Sequence, residues 1–145
     1  MQEKGCTFFG HRDSPPSIRP QLKALLMELV ERQGVTTFYV GNHGAFDAMA
    51  AGVLRELKLL YPEISYTVVL AYMPRRPEDG GPHTMLPEGV EKVPKRYAIC
   101  WRNRWMLGHA DYVVTYVAHS WGGAARFANE ARKQGKTVYN LWREE

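Results

Sequence analysis

Short apolar runs of strand character alternate with helix-spaced apolar patterns along this chain. That alternation confines it to a parallel sheet covered by helices on both faces, with right-handed crossovers. Five runs read as strands: Cys6 to Phe9, Thr36 to Val40, Ser65 to Tyr72, Asp111 to Val117 and Thr137 to Leu141. Between them, Leu22, Leu25, Leu26, Leu29 and Val30 share one helical face, with Ser17 as the expected N-cap and Gly34 as the stop. Phe46, Met49, Ala50, Val53, Leu54 and Leu57 mark a second helix. A third is expected from about Arg96 to His109. A fourth, carrying Phe127, Ala128 and Ala131, runs from near Gly123 to Gly135.

Three loops that follow apolar runs contain glycine: Phe9-Gly10-His11-Arg12, Val40-Gly41-Asn42-His43-Gly44 and Trp121-Gly122-Gly123-Ala124. Glycine lets backbone N–H groups approach a ligand closely, and a helix N-terminus beyond it adds partial positive charge. These loops follow the first, second and fourth strands. They converge if the strand order is 3-2-1-4-5, where those strands are neighbours and a switch point opens between the first and fourth. The expectation is therefore a single α/β domain spanning residues 1–145, a three-layer Rossmann-like sheet of five parallel strands in that order. Only Met73 to Lys95 breaks the rhythm, with five prolines around Gly80-Gly81. A stretch of this length without regular structure predicts a mobile flap over the ligand.

At 145 residues there is room for one hydrophobic core, and no apolar run reaches the ~20 residues of a membrane span. The start, Met1 to Gly5, shows no signal-peptide core, so a cytoplasmic location is expected. Cys6 and Cys100 have neither metal nor redox spacing and read as free thiols. The net charge of +4 is spread along the chain. It suits an anionic small molecule, and its scatter argues against nucleic acid as the partner. A homo-oligomer is left open.

Gly10, His11 and Arg12 end the first strand at the default ligand crevice of such folds, with Arg12 as a phosphate fork. Gly41, Asn42, His43 and Gly44 face the same crevice from the second strand, and Asp47 follows in the first helical turn. Asp47 reads either as a favourable charge on the helix dipole or as a ribose ligand or base. Gly122-Gly123 is the best phosphate cradle, with Ser120 adding a hydroxyl and Trp121 a stacking surface. His11, His43 and His119 all sit at strand ends, where they could meet on a metal with Asp13 or Asp47. Isolated histidines are more often hydrogen-bonded ligand contacts, so neither a metal nor a cofactor is assigned.

The segment Arg102-Asn103-Arg104-Trp105-Met106, with Asp111 five residues on and Gly122-Gly123 beyond a strand, resembles the SLOG superfamily. That group joins Smf/DprA DNA-processing proteins with Lonely guy phosphoribohydrolases, and the resemblance implies a Rossmann-like domain for nucleotides or nucleotide-derived ligands. Lonely guy enzymes have Arg-Lys-x-x-Met, an Asp, and Pro-Gly-Gly-x-Gly-Thr-x-x-Glu. Here Asn103 replaces Lys, Trp121 replaces Pro, Ala125-Arg126 replace Gly-Thr, and Asn129 stands at the catalytic Glu with Glu130 one step on. One step on a helix is about 100° of rotation. The expected function is nucleotide binding at the carboxyl ends of strands one, two and four. The alternative is hydrolysis of a nucleotide N-glycosidic bond with Arg102, Glu130 and Asp47 as catalytic candidates. A metal-assisted phosphohydrolase is the third reading.

Overall fold

The computed structural model describes residues 3–76, 81 and 83–143. Six parallel strands form one sheet: β1 (Lys4–Gly10), β2 (Val35–Val40), β3 (Ser65–Val69), β4 (Thr84–Met85), β5 (Tyr112–Tyr116) and β6 (Thr137–Asn140). Their order is β4-β3-β2-β1-β5-β6. The five expected strands keep their expected neighbours, and the sheet gains a sixth strand at the β3 edge. That strand lies inside the segment expected to be irregular. Thr84 and Met85 pair with Val68 and Val69, although the surrounding prolines hide any strand periodicity. Farther on, a 3-10 turn (Val90–Lys92) buries Val90 against Ala71 and Ala98. Pro77, Gly80 and Pro82, on which the flap expectation also rests, lie outside the described residues.

Alternation along β1 builds both halves of the core. Phe8 points to helices α1 (Arg19–Gln33) and α2 (Ala45–Leu60), joining Leu22, Leu26, Phe38, Phe46 and Leu54. Phe9 points the other way, to α3 (Lys95–Gly108) and α4 (Gly123–Lys133), joining Met106, Val113 and Phe127. Helix α1 begins later than Ser17. A 3-10 turn (Pro16–Ile18) precedes it, Ile18 occupies the N-cap without a side-chain bond, and Pro20 fits the first turn, where its missing N–H costs nothing. No helix among the described residues is long and apolar enough to cross a membrane.

Gly10 is glycine because of packing. A Cβ there would lie 2.2 Å from Cγ of the buried Phe46 ring, so β1 and the start of α2 touch directly. The first two glycine loops are also joined by backbone, since Ala45 N–H donates to the Arg12 carbonyl at 2.8 Å. Gly44, at φ 92°, lies against the Arg12 backbone and leaves no room for a side chain.

Candidate functional site

Above the carboxyl ends of β1 and β5, a cavity of about 430 Å³ opens between the starts of α2 and α4 and the middle of α3. From β1 it takes Gly10, His11 and Arg12; from the α2 entry, His43 and Asp47; from α3, Arg102 and Asn103. The far wall is His119, Trp121, Gly122 and Gly123. The crossovers place three strand-to-helix junctions around a single crevice because β1 lies between β2 and β5.

Arg102 is the anchor of the floor. Its side chain is 1% exposed, and burial pulls its pKa down. Nε donates to Asn103 Oδ1 at 2.9 Å; Nη1 donates to Asn42 Oδ1 at 3.1 Å and to the Val69 carbonyl at 2.8 Å. Nη2 lies 3.2 Å from His43 Nδ1. A guanidinium has no acceptor, so His43 Nδ1 accepts and its proton sits on Nε2. Burial first, then the charges of Arg102 and Arg12, push the His43 pKa down. The donors of Arg102 are thus largely occupied by protein. It positions Asn42 and His43.

Asp47 is the acid on this wall. Its Oδ2 accepts the His43 N–H at 3.0 Å. Burial raises its pKa to about 6, against the opposing pull of that bond, Arg102 and Arg12. A Cβ on Gly41 would meet Asp47 Oδ2 at 2.7 Å and Arg102 Cζ at 3.1 Å, so Gly41 makes room for both groups.

On the opposite side, three rings stack. His11 and His119 lie 3.8 Å apart at 12°, and His119 and Trp121 lie 3.6 Å apart at 13°. His11 Nε2 accepts the Ala118 N–H at 2.8 Å, and burial, then His119, lowers its pKa. His119 Nδ1 donates to the Trp121 carbonyl at 2.8 Å. The three histidines expected at strand ends are therefore all near the cavity, but in a stack and an arginine clamp. Among the described residues no three metal-ligating side chains form a group that could hold an ion.

The two glycines at α4 have different physical reasons. Gly122 has φ 96°, a conformation other residues resist. Gly123 has no such φ, and a Cβ there would meet nothing within 4 Å. Neither the N-cap nor an acid in the first turn answers the N–H groups of α4. At α2, by contrast, Asp47 lies in the first turn.

Gly10, His11, Arg12, His43, Asp47, Arg102, Gly122 and Gly123 thus border the cavity, while Gly41, Asn42 and Gly44 support it from behind. Ser120 is exposed and does not line it. Glu130 lies seven residues past Gly123, about 10 Å along the helix, and is absent from the lining. Asp111 is at the other end of the sheet, where its Oδ2 accepts the Gly5 N–H at 3.0 Å. Asn103 as a partner of Arg102 was not foreseen; its place next to a buried arginine is the only signal for it.

The architecture is that of a Rossmann-like α/β domain with its crevice at the switch point beside β1. Among solved structures, the fold is similar to that of DNA processing protein A (DprA) from Streptococcus pneumoniae, with a TM-score of 0.69 and 13% identity. DprA from Helicobacter pylori, described for its single-stranded DNA binding mode, gives a TM-score of 0.65 and 16% identity. The alignments cover 95% and 97% of this chain, which spans 50% of the first protein and 66% of the second. No protein-family model matches the sequence, and no curated protein does. One expectation is overturned here. Scattered charge does not argue against nucleic acid, because a protein of this fold, the Helicobacter pylori one, binds single-stranded DNA. A crevice that holds phosphate needs local donors, which net charge and its spread do not report.

Proposed function

We propose that this domain, a member of the SLOG group of Rossmann-like proteins, binds a nucleotide through its phosphate, either free or within a single strand. The phosphate would lie between Arg12 and the N-terminus of α4. The observation that carries this reading is Gly123. Neither packing nor backbone strain requires a glycine there, and without a side chain its backbone N–H is open to a closely approaching phosphate. Arg12 supplies charge from the facing loop, and the SLOG-like fold supports the same use of the crevice.

Isothermal titration with nucleoside mono- and diphosphates, and with short single-stranded DNA, tests the reading and separates its two sources of phosphate. Arg12→Ala is expected to weaken binding roughly ten- to a hundred-fold, as loss of a charge-assisted bond of about 1.5–3 kcal/mol would. Gly123→Ala should weaken it too, yet leave thermal stability unchanged or slightly raised, since Ala favours a helix over Gly by about 0.5–1 kcal/mol. Unchanged affinity in both variants would remove the phosphate from this position.

One observation favours a hydrolytic second reading. Asp47 borders the cavity with its pKa raised to about 6, a value suited to proton transfer near neutral pH. Cleavage of a nucleotide N-glycosidic bond would then depend on Asp47 and not on Glu130. Chromatography of free base released from nucleoside monophosphates checks it: release should be lost in Asp47→Asn and kept in Glu130→Gln.

A further inference from the structure

Trp121 is 70% exposed, although tryptophan usually buries most of its large apolar surface. It is not a loose surface side chain. One face is covered by His119 at 3.6 Å, His119 is covered in turn by His11, and the His119–Trp121 carbonyl bond at 2.8 Å holds the turn. Three near-parallel rings at this spacing form a ladder. It runs from the buried His11, next to Arg12, out to Trp121, next to Gly122. Its last rung has a free apolar face at the mouth of a cavity whose adjoining helix start carries no acid. A rigid, flat, exposed ring beside an anion-receptive loop matches a planar heterocycle linked to a phosphate, and stacking on it costs little side-chain ordering.

We propose that the outer face of Trp121 is a platform for a nucleobase, whose own nucleotide phosphate lies at Gly122-Gly123. This rests on the phosphate reading above and adds the part of the ligand that reading does not place. The platform takes any base, since every base has a π-face, and the phosphate loop sets where along the ligand it stacks.

The test compares two pairs of probes: AMP with ribose 5-phosphate, and a short thymidine oligonucleotide with the same backbone made abasic. Each is titrated by calorimetry into the parent protein, Trp121→Ala and Trp121→Phe. Trp121→Ala should weaken the base-bearing probe about five- to a hundred-fold and leave its base-free counterpart within about twofold. Trp121→Phe, which keeps a flat ring, should retain most of the affinity. Equal losses for base-bearing and base-free probes would assign Trp121 to holding the loop and overturn the platform alone. No loss for either would overturn it as well. Failure of the parent to bind any of the four would overturn the phosphate reading and the platform with it.

Discussion

Arg102→Ala is expected to lower the unfolding free energy by about 2–5 kcal/mol, the range of large-to-small substitutions at buried sites. The buried side chain packs between α3, β3 and the β2–α2 loop, and its loss takes a donor from the buried Val69 carbonyl and from the side-chain oxygens of Asn42 and Asn103. Urea unfolding with linear extrapolation measures the change. Arg102→Lys is expected to recover only a small part of it, because one ammonium cannot span four partners on α3, β3 and the β2–α2 loop. Ligand affinity should fall with stability, since Asn42 and His43 lose their support. Among the described residues no carboxylate forms a salt bridge with Arg102, so its desolvation is offset by hydrogen bonds and by the nearby charge of Asp47. A variant as stable as the parent would mean that this desolvation cancels what the bonds return.

Asp47→Asn is expected to act in the opposite direction and to depend on pH. The carboxyl titrates near its ordinary value of 3.8 in the unfolded chain and near about 6 in the folded one. Between those values the folded state holds the extra proton, so stability declines as pH rises from about 4 to about 6 and then levels off. The full gap corresponds to about 3 kcal/mol. Contact with the open cavity reduces this to about 2–3 kcal/mol. Asn keeps an oxygen for the His43 N–H and has no charge to desolvate. The variant should therefore match the parent below pH 4 and exceed it by that amount at pH 8. Parallel stability curves from pH 4 to 8 would show that water reaches Asp47 freely.

Much of the framework was legible because its signals are local. Glycine after a strand, helical spacing from Phe46 to Leu57 and continuous apolar runs each declare themselves within a few residues. Strand β4 was missed because two residues among prolines show no period, and its partner supplies the pairing. The site was legible as a place more than as an arrangement. His11, Arg12, His43, Asp47, Gly122 and Gly123 were named from their positions after strands, and they do border one cavity. Arg102 was read as a catalytic candidate at the cavity it borders, and one of its bonds runs to Asn42, 60 positions away. No local pattern encodes that bond, and none encodes a ring stack joining residues 11, 119 and 121.

The β1–β5 ladder also governs when the site comes into being. Cys6 through Gly10 pair with Tyr112 through Tyr116, and Ala118 donates to His11 across 107 positions. Closing so long a span comes before any of its contacts can reward it, which favours slow folding of the ladder. A nascent chain ending before β5 lacks the wall formed by His119, Trp121, Gly122 and Gly123. Any ligand of this crevice therefore selects the finished domain and raises its melting temperature by mass action, so that simple heating in the presence of a compound library becomes a screen for whatever it holds.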